Sequence, residues 1–414
     1  MNLGVFSHGW WKGACSACGH GAVLLPVAQH PSGNAYAADL SARIATGPDV
    51  AEALRDTEVD LLMDTGGTGL SFIPGSPNDP NLNLVHEARG KTLYSHFIDP
   101  LTTSFQGLPW GVVWQCLKSR SWFKAVWDRA AAAELQSFGV PNVVHLPMAA
   151  PDREYDTDPV DPSTCRPVVS FVGGQNTTFF APGASAATAS LLPGVLAHAV
   201  RGDLPGMTFH DIYREMYALD EPLHDGDSIE EQARKTFAYF QAKLFFHAGL
   251  YIRNRDRFVI FLKRKLGEAF HLVGGGWDRA YRLDSQPPYP TTEGYLNHFR
   301  TTAINLNLVS GNAETGLNMR HFEITAAGGF LLCYDQPELA DHFVPDKECV
   351  VFRNEHDLLE KIRYYLSHPD ERTAIAQAGQ RRTLAQHLYR HRLQTLLETA
   401  AARRLPSQAQ PSVR

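Results

Sequence analysis

Cysteine is scarce in this sequence. Six thiols in 414 residues are too few to lace so long a chain into a disulfide scaffold, so an ordinary packed interior must hold it. Cys116, Cys165, Cys333 and Cys349 stand singly among apolar or mixed neighbours and read as small buried hydrophobes. Long hydrophobic runs are missing too. None approaches the roughly 20 residues that cross a bilayer, so no transmembrane segment is expected. Met1–Phe6 lacks the basic start and long apolar core of a secretion signal, which leaves a cytoplasmic location as the default expectation. Basic excess is also absent. With 38 Lys and Arg against 44 Asp and Glu the net charge is −6, which argues against a nucleic-acid partner. No internal repeat is visible. The chain does carry 44 % hydrophobic and 20 % charged residues, the composition of a globular protein, at a length that suits two domains.

Residues 1–150 alternate short apolar runs with helix-compatible stretches. Strands are expected at Leu3–Phe6, Val23–Val27, Val59–Met63, Lys91–Phe97 and Asn142–Leu146, and helices at Asp49–Thr57 and Ala125–Phe138. Residues 151–167, rich in Asp and Pro, read as a linker. A second alternating region begins at Val168 and runs to about residue 385. Its strands are expected at Val168–Val172, His271–Val273, Ile304–Leu308 and Phe330–Cys333, with helices at Arg257–Leu266 and Asn318–Ala327. Between about 185 and 256 the strand rhythm breaks, and Ile229–Leu250 is long and helix-periodic, so this stretch reads as a mostly helical insertion in the second domain. A helix over about 386–405 and a frayed tail over 406–414 close the chain. Strands alternating with helices imply an α/β protein with parallel sheets.

The most informative stretch runs from Gly316 to Leu332: a loop, a helix, the Gly328-Gly329 break, then a buried strand. A helix N-terminus offers unpaired N–H groups and the positive end of a dipole, which suits a diphosphate. Arg320 in the first turn can add a charge-assisted fork to phosphate oxygens. Glu323, one turn on and near the same face, can accept from two ribose hydroxyls. The plainer alternative is an exposed Arg and Glu on an ordinary crossover helix with the two glycines as its cap.

The pattern Asn318-x-Arg320-x-Phe322-Glu323-x-x-Ala326-x-Gly328-Gly329, followed by an apolar strand, resembles the C-terminal half of the group 1 glycosyltransferases, above all their CgeB-like branch. The likeness continues through Leu339–Phe343, Asp357–Leu366, His368-Pro369, Ile375–Gly379 and the basic stretch His387–Arg392. Looser likenesses lie at Gly139–Ala150, Val169–Gly174 and His271–Trp277, and none spans 185–256. The resemblance implies a GT-B fold, two Rossmann-like domains facing a cleft, and transfer of a sugar from a nucleotide-diphosphate donor to an acceptor. That acceptor could be a small molecule, glycan, lipid or protein. It also implies a donor site at Gly173, Gly174, Gly276, Asn318, Arg320 and Glu323, with no metal and no other cofactor. Related enzymes often carry a second Glu eight residues earlier; here that position is Thr315, with Glu314 beside it.

The acceptor side falls to the first domain, where α/β folds place cleft loops at strand ends. His8 follows the first strand in a Gly-rich segment with Trp10 and Trp11, read either as a sugar-stacking loop or as aromatic rings in a domain contact. Asp64 ends an apolar strand as a cleft carboxylate or a turn cap, and His96 and Asp99 end another. Within the resemblance an acidic residue precedes Pro, which makes Asp99 the first candidate for the acceptor-facing carboxylate, with His96 second and His8 third. Cys15-Ser16-Ala17-Cys18 has the spacing of a zinc or redox pair, with ordinary loop thiols as the simpler reading. Gly274-Gly275-Gly276 lacks the spaced third glycine of a dinucleotide fingerprint. Two alternatives to an active transferase stay open: a GT-B scaffold or binding protein without catalysis, and a sugar-nucleotide epimerase. Oligomeric state stays open as well.

Overall fold

The computed structural model describes residues 1–6, 9–33, 35–76, 79–175, 208–216, 226–309 and 311–404, with 194, 197, 199 and 223 between them. The first domain contributes β1 (Asn2–Phe6), β2 (Gly21–Leu25), β3 (Leu61–Thr65), β4 (Phe72–Ser76), β5 (Asp79–Leu84), β6 (Leu93–Phe97), β7 (Trp122–Val126) and β8 (Val143–His145). Six of these form a parallel sheet in the order β2-β1-β3-β6-β7-β8, while β4 and β5 make a separate antiparallel pair. The second domain contributes β9 (Arg166–Val172), β10 (Phe270–Val273), β11 (Thr302–Asn307), β12 (Leu331–Tyr334) and β13 (Val350–Phe352), parallel in the order β10-β9-β11-β12-β13. In both sheets the chain turns back beside the first strand. The crevices between β1 and β3 and between β9 and β11 are therefore the switch points where α/β sheets bind ligands. The described residues thus form two Rossmann-like parallel sheets, as the alternating strands and helices of the sequence led one to expect.

The central strands β3, β6, β7 and β11 are buried along their whole length, as parallel strands covered on both faces must be. Two segments tie the domains together. Helix Ile229–Tyr251 opens with a capping box between Ser228 and Glu231 and packs into the core of the first domain. There Tyr239, Phe240 and Phe246 join Phe97, Phe105 and Trp114. The Trp110 and Trp114 indoles donate to Thr236 Oγ1 at 3.0 Å and Gln232 Oε1 at 3.2 Å. The helix continues through a π-turn, Ile252–Asp256, into helix Arg257–Leu266. Phe258, Val259 and Leu262 of that last helix belong to the core of the second sheet. The helix read from sequence as an insertion in the second domain is thus covered by the first. Most of the remaining 185–228 stretch and the 406–414 tail lie outside the described residues.

The second tie is helix Tyr389–Arg404, whose Leu393, Leu396 and Ala400 pack with Leu3, Val5 and Trp11 on the first domain. Tyr389 stacks on Trp10 at 5.4 Å and meets Trp11 edge-on at 5.2 Å.

Three local expectations are corrected. The helix expected at Asp49–Thr57 spans Leu40–Asp56, because Asp39 caps it by accepting from Ala42 N, and Pro48 sits inside it. The helix expected over Ala125–Phe138 is instead strand β7, then helix Arg129–Ser137. Asp128 is its N-cap, accepting from Ala131 N at 3.0 Å. The Gly-rich segment after β1 is helical over Gly9–Ala17, since burial of Trp11, Ala14 and Cys15 on one face outweighs glycine's poor helix propensity.

Replacing Tyr389 by Ala removes a fully buried ring from the seam between the C-terminal helix and the first domain. The expected loss is about 3–5 kcal/mol of unfolding free energy, read from urea denaturation followed by tryptophan fluorescence.

Candidate active site

The donor-side candidates sit at the carboxyl edge of the second sheet. After β9 the chain makes the turn Gly173-Gly174-Gln175, and after β10 the turn Gly274-Gly275-Gly276, and the two turns interlock. Gly173 N donates to Val273 O and Gln175 N to Gly275 O, both at 2.8 Å. A side chain on Gly276 (φ +88°) would meet Gln175 O at 1.9 Å. Its glycine is therefore demanded by the neighbouring turn, whatever ligand lies beyond. The π-turn holds the same edge from beneath. Arg255 donates to Gly174 O and lies over the rings of Phe171, Tyr251 and Trp277. Asp256 Oδ2 accepts from Gln175 Nε2 at 2.8 Å and from the Tyr281 hydroxyl at 2.7 Å. A π-turn places successive side chains where a regular helix would not, and such turns recur at functional sites.

Helix Met319–Ala326 starts beside the end of β11, where Asn307 Nδ2 donates to Asn318 Oδ1 at 3.0 Å. Asn318 is the N-cap residue, yet its side chain makes no capping bond. Its Oδ1 lies 3.0 Å from Nδ1 of His321, a fully buried ring whose pKa burial lowers to about 3. Arg320 Nη1 donates to Glu323 Oε2 at 2.7 Å. The guanidinium also lies 5.2 Å from the centroids of both Tyr295 and Phe299. Arg320 and Glu323 therefore satisfy each other, on the side of the second domain that carries helix Thr292–Arg300.

A small, mainly apolar cavity lies between the ends of β6 and β7, helix Ile229–Tyr251 and the loop at Asn312. Asp99 lines it. Burial raises the Asp99 carboxyl above the usual range, as expected for an anion taken partly out of water. Lys243, Glu134 and His247 line it too. Lys243 Nζ bonds both oxygens of Glu134, at 2.7 and 2.8 Å, and lies 2.8 Å from Glu314 Oε1. Although burial opposes it, Lys243 holds the Glu314 carboxyl well below the usual range. Glu314 is thereby committed to a buried ion cluster. Asp128 joins the same loop to the first domain: its Oδ2 accepts from the backbone N–H groups of Glu314, Thr315 and Gly316 at 2.8, 2.8 and 2.9 Å.

Of the residues singled out in the sequence, only Asp99 reaches this cavity. Gly173, Gly174 and Gly276 gather at one sheet edge, and Asn318, Arg320 and Glu323 on one helix. His96 is 1 % exposed between Trp11 and Tyr389, with Nε2 3.0 Å from Leu146 O and a pKa that burial lowers to about 4. It is a neutral core imidazole with no path to an acceptor. His8 lies outside the described residues. Trp10 and Trp11 serve the domain contact with Tyr389. Asp64 organises a turn, accepting from Gly67 N at 3.1 Å and Gly69 N at 2.7 Å. Cys15 is buried, which pushes its thiol up to about 11, and Cys18 Sγ donates to Arg390 O at 3.7 Å. Among the described residues no group of three or more His, Cys, Asp or Glu is placed to hold a metal ion.

Sequence reasoning missed Arg255, Asp256, Lys243, His247 and Asp128. A trace was present in Arg253-Asn254-Arg255-Asp256-Arg257, a charged run inside an apolar helical pattern. Asp128 was hidden because the helix was run straight through its own cap.

Residues 253–398 match a family model described as glycosyl transferase-like. The match takes in the π-turn from its second residue, the Gly274–Gly276 turn and the whole of helix Met319–Ala326. No curated protein matches the chain. Among solved structures, sucrose-phosphate synthase from Thermosynechococcus elongatus is 12 % identical with a TM-score of 0.48, over 99 % of this chain and 100 % of that one. HepE of Anabaena in complex with UDP-glucose is 9 % identical with a TM-score of 0.47, over 97 % and 100 %. Trehalose 6-phosphate synthase from Burkholderia multivorans is 10 % identical with a TM-score of 0.46, over 100 % and 99 %. No helix among the described residues is long and apolar enough to cross a membrane.

Burial raises the Asp64 pKa from 3.8 to about 6, against the bonds from Ser95, Gly69 and Gly67. A folded value above the unfolded one means that this contribution to stability is complete below pH 3.8 and is lost as pH rises through about 6. The shift amounts to about 2–3 kcal/mol. Unfolding free energy measured from pH 4 to 7 should therefore fall less steeply in Asp64→Asn than in the parent chain.

Proposed function

We propose that this chain is a glycosyltransferase that binds a nucleotide-diphosphate sugar on its second domain and passes the sugar to an acceptor held by the first. The observation that carries the proposal is the position of helix Met319–Ala326. It lies inside the glycosyl transferase-like match and starts at the carboxyl edge of β11, next to the β9 turn. The motif from Asn318 to Gly329 supports the CgeB-like branch as the finer assignment.

In this reading the diphosphate lies against the N-terminus of that helix and the Gly173–Gln175 turn. The bond from the sugar's anomeric carbon to the diphosphate breaks as the bond to the acceptor oxygen forms. Charge then builds on the leaving diphosphate, where backbone N–H groups, Arg320 and Arg255 stabilise it. Arg320 bonds Glu323 while the site is free; a diphosphate competes for its fork and leaves a Glu323 oxygen to accept from the ribose. Asp99, accepting no hydrogen bond from any described residue and raised by burial, takes the proton of the acceptor hydroxyl. We propose transfer without a metal ion, in an enzyme that acts in the cytoplasm.

A second reading, a GT-B scaffold that binds without turnover, draws on the same pair: Arg320 and Glu323 satisfy each other and stand apart from the Asp99 cavity. Nucleotide release separates the two readings. Across a panel of UDP- and GDP-sugars, the parent chain should release free nucleotide. Arg320→Ala should reduce this about 100-fold or more, and Glu323→Ala should chiefly weaken donor binding. A nucleotide sugar that raises the melting temperature but is never turned over would select the scaffold. With an acceptor in hand, the rate should rise with pH through an ionisation above the ordinary Asp range, and Asp99→Asn should abolish that limb.

A further inference from the structure

Helix Met319–Ala326 leaves its own cap unused. Asn318 has the extended backbone of an N-cap (φ −69°, ψ 163°), but its side chain makes no capping bond. Asparagine is among the best N-cap residues, because its side-chain oxygen can accept from the N–H of the second or third helical residue. Other helices of this protein show the ordinary behaviour. Asn354, at the head of helix Glu355–Ser367, accepts from Asp357 N at 3.0 Å. Ser228 accepts from Glu231 N at 3.2 Å, and the Glu231 carboxylate reaches back to Ser228 N at 3.0 Å, a full capping box.

The difference lies in the third helical residue. At that position Asp357 and Glu231 carry acidic side chains, which accept. His321 carries an imidazole, and its Nδ1 lies 3.0 Å from Asn318 Oδ1 and 3.2 Å from Asn318 O. Both partners are oxygens, so Nδ1 bears the proton and donates. The Asn318 amide is oriented by its other contacts: Nδ2 donates to Leu308 O at 3.4 Å, and Oδ1 accepts from Asn307 Nδ2 at 3.0 Å. Oδ1 therefore receives two donors. His321 is fully buried and Asn307 is buried with it, so a swing of Asn318 toward the helix would strand both donors away from water. His321 Nε2 has no partner among the described residues. The polar contacts of the ring thus run to Asn318.

We propose that His321 is a positioning residue for the donor site: its Nδ1–H holds the Asn318 side chain off the helix terminus and so keeps the first-turn N–H groups of Met319 and Arg320 open to a diphosphate oxygen. The helix forgoes its own cap, and the ligand supplies the missing acceptor. Burial keeps the ring neutral, so it acts through its hydrogen bond and Arg320 remains the cation of this turn. The identity of the ligand rests on the glycosyltransferase reading. The tether between His321 and Asn318 stands on the geometry alone.

Two near-isosteres of the ring separate the tether from simple packing. The amide nitrogen of asparagine overlies the Nδ1 position of histidine, and that of glutamine overlies Nε2. His321→Asn therefore keeps a donor for Asn318, while His321→Gln, the closer match in volume, loses it. Crystal structures of both variants without ligand read the tether directly. Asn318 should stay on Asn307 in His321→Asn, and in His321→Gln its Oδ1 should swing round to accept from a first-turn N–H. Calorimetry with UDP and with GDP reads the consequence. His321→Gln should weaken whichever nucleotide the parent chain binds by about tenfold, the value of one hydrogen bond, and His321→Asn by no more than about threefold. With Asn318→Ala in place there is no side chain left to swing, and adding His321→Gln should cause no further loss. His321→Leu removes the same donor if His321→Gln does not fold. An Asn318 side chain unmoved once the donor is lost would overturn the proposal, as would equal losses of binding in the Asn and Gln variants. Failure of the parent chain to bind either nucleotide would count against the glycosyltransferase reading, while the ligand-free structures still decide the tether.

Discussion

One carboxylate joins the two halves of this protein. Asp128 caps the helix that follows β7 through Oδ1, and through Oδ2 it gathers three consecutive backbone N–H groups of the loop Glu314–Gly316. That loop leads directly into helix Met319–Ala326, so the leading end of the donor-side helix is registered against the first domain by a charge-assisted bond set. Next to it, Lys243 bridges Glu134 of the first domain and Glu314 of the second. Removing one member of such a buried cluster typically costs about 3–5 kcal/mol, because the partners are left charged and unpaired.

The same junction explains the long helix. Residues 229–251 are covered by the first domain and 257–266 by the second, with a π-turn between them. A regular helix would carry one apolar stripe into both cores. The extra residue in the turn re-aims the stripe and brings Asn254, Arg255 and Asp256 inward. Arg255 and Asp256 then fix the Gly173–Gln175 turn, while Lys243 and His247, on the preceding turns, face the Asp99 cavity. One continuous element thus borders both the place proposed for the donor and the place proposed for the acceptor. It is one of the two segments that a change in the angle between the domains would strain, the other being helix Tyr389–Arg404.

Much of the layout was legible in the chain. Apolar runs of four to six residues marked most strands to within a residue or two, and helix Arg257–Leu266 was read with its observed bounds. The failures share a cause. Ala125–Phe138 was read as one helix because alanine-rich sequence dominates the local signal, whereas β7 exists because its neighbours β6 and β8 pair with it. Gly9–Ala17 looked like a loop because glycine disfavours helices locally, and burial of Trp11 reverses that preference only once Tyr389 is present. His96 and Asp99, three residues apart, looked equivalent, yet one ends in the core under Trp11 and the other at the edge of a cavity.

The sequence by itself determined the alternating strands and helices, the division into two α/β halves and the Asn318–Gly329 motif, because periodicity, glycine placement and short motifs are local properties of a chain. The tertiary structure alone decided which side chains share a site. Glu134, Lys243 and Glu314 are separated by 109 and 71 positions along the chain, and His247 becomes a neighbour of the Asp99 cavity only when helix Ile229–Tyr251 packs across to the first domain. Burial, and with it the ionisation of each group, depends on which surfaces meet, and no local pattern of residues encodes that.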